Sequence, residues 1–175
     1  MNKTNTNKLG ILGGSFDPPH IGHLKITLES KKRFKLNKVI WAITKKNPFK
    51  KKSALNLSSR IALSKKLINK YSFIKIQHFE SKIKSNRTIN LINYLKKKNK
   101  NTSLYLIMGA DNLISFHKWL KWEQISEKCQ IIVFDRMGFK SSSLKSVTYK
   151  KLGKNRLKFV KFDKVNISSS KLRNI

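Results

Sequence analysis

An open parallel sheet with helices on both faces, built as a single α/β domain, is the fold this sequence predicts. Three observations carry it. Short apolar runs alternate with segments of helical spacing along all 175 residues. Several of those runs are too continuously apolar to leave one face in water. No internal repeat or clear linker divides the chain, whose length suits one domain with a real core. Alternating strands and helices make the strands parallel and the helices their covers.

Taken in order, "LGIL", "KVIWAI", "SFIKIQHF", "SLYLIMG" and "CQIIVF" read as strands, and "RLKFVKF" as a sixth. Leu24 and Leu28 share a helical face after the first strand. Leu57, Ile61, Ile68 and Tyr71 recur at helical intervals behind a start at Ser58 or Ser59, and Leu91, Ile92 and Leu95 do so in "TINLINYLKKK". Residues 44–56 and 136–146 read as basic loops, with "SSS" at 141–143 a helix cap or a loose stretch. Residues 1–7 read as a flexible polar lead.

Composition narrows the setting. The chain has 40 Lys and Arg against 8 Asp and Glu, a net charge of +32. Such a field attracts any polyanion. The lysines are spread rather than striped, so drift toward Lys and Asn explains them better than a nucleic-acid interface, which stays as the alternative. Cys129 is the only cysteine; it excludes an intrachain disulfide and, inside "CQIIVF", reads as a buried thiol. The polar start "MNKTNTNKLG" lacks a secretion signal, and no apolar run reaches the ~20 residues of a membrane span. A cytoplasmic location is expected.

"GGSFDPPHIGH", Gly13 to His23, closes the first strand. Ligands of open parallel sheets bind beyond the carboxyl ends of the strands. Gly13 and Gly14 permit unusual dihedrals and close approach of a ligand; Pro18 and Pro19 stop the strand. A helix starting near His20 or Ile21 turns its N–H groups toward the loop, a seat for phosphate. His20 and His23, three apart, fall on one side of that helix and can both donate to phosphate oxygens. The glycine spacing is not the dinucleotide fingerprint, and two histidines without a third ligand make a weak zinc site.

The stretch resembles the first signature of the nucleotidyltransferase superfamily, which has a Rossmann-like α/β fold, and "ISSSKLR" resembles its second. "MGADNLISFHKWLKWEQI" resembles the bacterial nicotinate-nucleotide adenylyltransferases, and "NPFKKK", "LSSRIAL", "RTINLI" and "VFDRMG" fall where that family has comparable segments. The resemblance implies adenylyl transfer from ATP to nicotinate mononucleotide, with Mg2+, giving the dinucleotide and pyrophosphate in NAD synthesis. It implies His20 and His23 as catalytic groups on the ATP phosphates. Gly13, Gly14, Ser15 and Phe16 would line the ATP cleft, with Gly109 and Asp111 at the ribose and Arg136 nearby. Ser168, Ser169, Ser170 and Arg173, in the motif of residues 168–175, would grip the β- and γ-phosphates. Trp119 would stack on the pyridine ring, and the backbone near Leu120 would meet the nicotinate carboxylate. Asn47, Lys50 and Thr88 would contact the mononucleotide, while Trp122 packs in the core. Asp17 either orients a histidine or caps the turn, and a helix cap rivals the ribose role of Asp111.

The chain departs from the family at Met137, where proline is usual, at Arg87, often tyrosine, and at its short end two residues past Arg173. The chemistry expected is direct in-line attack by the mononucleotide phosphate, already an anion, on the α-phosphorus. It needs alignment and positive donors rather than a base or a covalent intermediate. Phosphopantetheine adenylyltransferase, which shares both end motifs, is the enzyme alternative.

Overall fold

The computed structural model describes residues 6–45 and 54–162. Every expected strand forms: β1 (Asn7–Gly14), β2 (Lys38–Ile43), β3 (Ile74–Gln77), β4 (Thr102–Gly109), β5 (Gln130–Phe134) and β6 (Leu157–Val160). They make one all-parallel sheet of order β3-β2-β1-β4-β5-β6. The helices are α1 (Ile21–Phe34), α2 (Leu57–Ile68), α3 (Glu80–Ile83), α4 (Thr88–Lys98), α5 (Ala110–Ser115), α6 (Trp122–Lys128), α7 (Lys140–Leu144) and α8 (Val147–Arg156), with a 3₁₀ turn at Phe116–Lys118.

Residues of the inner strands β1, β2, β4 and β5 alternate between two cores, which is why those runs carry little polar face. The edge strands β3 and β6 keep exposed residues such as Lys75, Gln77 and Lys158. Ile11, Ile40 and Leu106 pack with Ile89 and Ile92 of α4, Leu113 of α5 and Ile125 of α6. Leu12, Trp41 and Ile132 pack on the other side with Leu24 of α1 and Ile68 of α2. Trp41 is fully buried, and its indole N–H donates to Thr27 Oγ1 at 2.8 Å. That bond satisfies the buried indole donor and pins α1 to the sheet, a contribution of about 1 kcal/mol. At Gly10 a Cβ would come 2.8 Å from Leu36 Cδ1, so β1 needs glycine there for close packing.

Local chemistry moves some boundaries. Asn56, not a serine, caps α2: its Oδ1 accepts from Ser59 N at 2.8 Å, and the helix begins at Leu57. Tyr71 lies past the helix end, in the turn before β3. The expected loop 136–146 contains α7, which takes in "SSS" with Ser143 buried. Cys129 is buried as expected; its Sγ donates to Ile125 O at 3.0 Å, and burial pushes the thiol up to about 12. Among the described residues no helix is long and apolar enough to cross a membrane.

The strand order reverses between β1 and β4. Crossovers from β1 run outward through β2 to β3, then return to β4 on its other side. The two loops leaving β1 and β4 therefore diverge, and a crevice opens over the carboxyl ends of those strands.

Candidate functional site

That crevice is a cleft of about 430 Å³. Gly13, Gly14, Ser15 and Phe16 line it at the end of β1, joined by His20 and His23 of the following turn. Gly109 and Asp111 enter from the end of β4, Arg136 from the loop after β5, and Thr88, Trp119 and Leu120 from the far side. Segments more than a hundred residues apart are thus brought to one site. Asn47, Lys50, Ser168, Ser169, Ser170 and Arg173 lie outside the described residues.

His20 is the N-cap of α1, and the two imidazoles form a reciprocal cap. His20 Nδ1 accepts from Gly22 N at 3.1 Å and His23 Nδ1 accepts from His20 N at 3.2 Å. An imidazole that accepts at Nδ1 carries its proton on Nε2, so both rings offer an Nε2–H donor. The rings lie 3.8 Å apart between centroids. Burial, and then the nearby Arg136 charge, lower His20 from 6.5 to about 4; it is a neutral donor at pH 7. The expected seat of free helix amides is narrower than the sequence suggests. The amides of His20, Gly22 and His23 are all spent inside the turn, the last on His20 O at 2.9 Å.

The glycines act through space, not dihedrals. Neither Gly13 nor Gly14 has a positive φ; Phe16 does, at 49°. A Cβ on Gly13 would meet nothing within 4 Å, so it would project into room a ligand can use. Phe16 is held in its left-handed conformation by its buried ring, 4.9 Å from Trp41 and 4.6 Å from His23.

Asp17 reaches beyond its own turn. Its carboxylate is buried and accepts from Ala54 N at 2.8 Å and Leu55 N at 2.9 Å, tying the approach to α2 beneath the β1 loop. Asp111 is not a helix cap: Gly109 is the N-cap of α5, without a side-chain cap bond. Asp111 Oδ2 accepts from Arg136 Nη1 at 2.6 Å, an ion pair across the cleft between β4 and β5. A Cβ at Gly109 would collide with the Asp111 carboxylate. Glycine is what lets that side chain fold back over the strand end.

At the far side Trp119 is half-buried and meets Phe116 edge-on at 5.1 Å. Its amide is used by Phe116 O at 2.9 Å, which leaves the Leu120 amide unpaired among the described residues. Trp122 packs against the core as expected, 6.0 Å from Phe116. Arg87 is the N-cap of α4 and Thr88 its first residue; Arg87 and Lys118 line the cleft beside Trp119.

Sequence reasoning missed Arg60. It is 1% exposed, and its guanidinium donates to four backbone carbonyls. A signal was present: Arg60, Ser64 and Ile68 are spaced four apart and form the buried stripe of α2. No cluster of three or more His, Cys, Asp or Glu able to hold a metal occurs among the described residues.

Comparison with known proteins adds four findings. Residues 11–175 match the model of the cytidylyltransferase-like family. A protein of Pelagibacter ubique (strain HTCC1062), named a probable nicotinate-nucleotide adenylyltransferase, is 58% identical over 168 residues, 96% of this chain and 93% of its own. A protein of the same name from Agrobacterium fabrum (strain C58) is 40% identical over 139 residues, covering 79% of this chain and 74% of that one. In fold, the chain resembles the Plasmodium falciparum nicotinic acid mononucleotide adenylyltransferase complexed with NaAD. The TM-score is 0.80 at 22% identity, over 96% of this chain and 83% of that one.

Proposed function

We propose that this chain, which belongs to the nicotinate-nucleotide adenylyltransferases of the cytidylyltransferase-like family, transfers the adenylyl group of ATP to nicotinate mononucleotide and releases pyrophosphate, a step of NAD biosynthesis. The observation that carries the reading is the cleft itself. A phosphate end with two oriented imidazoles and a flat-ring end with Trp119 share one cavity at the switch point of the sheet.

The chemistry asks little of any single side chain. The mononucleotide phosphate is an anion at neutral pH, so no base is needed; its oxygen attacks the α-phosphorus as the bond to the pyrophosphate oxygen breaks. His20 and His23 donate from Nε2 to the phosphate oxygens, fixed in place by their own cap. A neutral donor at His20 suits this arrangement because the nearby Arg136 already supplies positive charge. Phe16, Gly13 and Gly14 shape the backbone around the triphosphate, and Asp111, held by Arg136 through Oδ2, accepts from the ribose hydroxyls with Oδ1. Ser168, Ser169, Ser170 and Arg173 complete the grip on the β- and γ-phosphates. Trp119 stacks on the pyridine ring, with the Leu120 amide toward its carboxylate, and Asn47, Lys50 and Thr88 hold the remainder of the mononucleotide.

Mg2+ would come with ATP, carried mainly on its phosphate oxygens and water, and would supply charge neutralisation on the triphosphate. The donor set fits that mode. Asp111 is engaged by Arg136, and Asp135 Oδ1 accepts from Arg136 N at 2.8 Å, so neither is presented as part of a protein cage.

The test is pyrophosphate release from ATP and Mg2+ with nicotinate mononucleotide, nicotinamide mononucleotide or phosphopantetheine as acceptor. Release with the pyridine mononucleotides is expected, nicotinate fastest. Release with phosphopantetheine alone would reassign the enzyme.

A further inference from the structure

Arg60 carries a cost that core packing does not explain. Its guanidinium is buried with no carboxylate partner among the described residues, and desolvating a charge is expensive unless something is gained from it. It donates from Nη1 to Ser15 O at 2.5 Å and to Thr44 O at 2.7 Å, from Nη2 to Lys45 O at 2.9 Å, and from Nε to Leu55 O at 3.1 Å. Those carbonyls belong to the loop after β1, the loop after β2 and the approach to α2. Asp17 fastens the same approach from the other side through the Leu55 amide.

A trans peptide points its N–H opposite its C=O. Pulling a carbonyl down onto Arg60 therefore turns the next residue's amide away from it. Two of the pinned peptides can be compared. At Thr44–Lys45 the amide turned outward is met by an anionic acceptor, Glu80 Oε1, at 3.1 Å. At Ser15–Phe16 the residue lines the cleft and its amide has no acceptor among the described residues. The strained left-handed φ of Phe16 keeps it there.

We infer that Arg60 is a positioning residue: by holding Ser15 O it aims the Phe16 amide into the cleft as a donor to a phosphate oxygen of the nucleotide. The inference rests on the proposed reading of the cleft as a triphosphate site. The guanidinium acts from behind the loop and touches no substrate. Its fork geometry matters, because a lysine keeps the charge but not the fixed planar set of donors.

Two measurements decide it. In the wild-type chain, adding inorganic pyrophosphate shifts the Phe16 backbone amide resonance. If Gly13 and Gly14 shift and Phe16 does not, the assignment falls. A cleft in which no amide shifts removes both this assignment and the proposed reaction. In Arg60→Lys, kcat/KM for ATP falls at least about 10-fold, the loss of one oriented oxyanion donor, and the Phe16 shift disappears in a chain whose other amide signals stay dispersed. A variant that keeps wild-type kcat/KM, or loses activity while Phe16 still responds, overturns the proposal. Should Arg60→Lys fail to fold, Arg60→Gln is titrated in its place, and a Phe16 shift that persists there overturns the proposal.

Discussion

His20 ties the stability of the fold to pH in a way that can be worked through. It caps α1 through Nδ1, and protonating that nitrogen would destroy the acceptor and place a cation near Arg136. Burial and that arginine lower it from 6.5 to about 4. A histidine lowered on folding binds fewer protons in the native state, so its stabilisation is complete above pH 6.5 and drains away as pH falls from there toward 4. At 1.36 kcal/mol per pKa unit the full effect is about 3 kcal/mol, and about 2 kcal/mol of it is gone by pH 5. The ring is only part-buried, so solvent screening reduces the loss at pH 5 to about 1 kcal/mol.

The perturbation is His20→Asn. Asparagine is as good an N-cap as any residue, so the cap persists while the titration vanishes. Urea unfolding of both proteins at pH 7.5 and pH 5.0 gives the comparison, with the slopes checked for equality. The wild type should lose about 1 kcal/mol more than the variant between the two pH values. Equal losses, or a His20 ring resonance titrating near 6.5, would refute the account of this site as an imidazole held neutral by its own cap.

Three further outcomes follow from the cleft. Gly109→Ala drives the Asp111 carboxylate off the strand end and breaks its bond to Arg136; ATP KM should rise about 5-fold or more while the mononucleotide KM holds within about twofold, and steady-state kinetics with each substrate varied reads the split. Trp119→Ala removes the stacking face, so the mononucleotide KM should rise about 10-fold, and an unchanged value would move the pyridine elsewhere. Arg87→Tyr removes a cation from the cleft beside Trp119; the ratio of kcat/KM for nicotinate over nicotinamide mononucleotide should fall about 5-fold, as expected for one part-screened charge, and a constant ratio would show that Arg87 ignores the carboxylate.

How much of this was legible depends on the range of each interaction. The strands were readable because burial on both faces writes itself into consecutive residues, as in "CQIIVF" and "KVIWAI". The start of α1 near His20 or Ile21 was readable because prolines and a turn precede it, whereas the capping role of His20 was not. Asp17 was not, because its partners Ala54 and Leu55 sit more than thirty residues away and an Asp before Pro looks like an ordinary turn residue. Phe16 was misjudged through its neighbours: glycines advertise unusual dihedrals, but here a phenylalanine takes the positive φ, because a buried ring can hold a backbone strain that a glycine would simply relax. Arg60 was hidden by composition. Among forty cations, one more carries no signal unless its place on the apolar stripe of α2 is noticed.

The same composition makes the acidic residues informative. In a chain with only eight of them, each remaining carboxylate is more telling than any lysine. Three line the cleft and Asp17 sits next to it in the chain, and each binds a specific group of the fold: Asp17 the amides of Ala54 and Leu55, Glu80 the amide of Lys45, Asp111 the guanidinium of Arg136, Asp135 the amide of Arg136. Others make helix-surface pairs, Glu29 with Arg33 and Glu123 with Lys151, which solvent largely screens. A charge of +32, from lysines spread along the whole sequence, attracts ATP from a distance but does not by itself orient it. Orientation has to come from groups whose places are fixed against that background, and the cleft acids fix them. They hold the loops after β1, β2 and β5 so that the donors at His20, Phe16 and Arg136 face one volume. The general charge can drift without harm to such a site; the four carboxylates cannot.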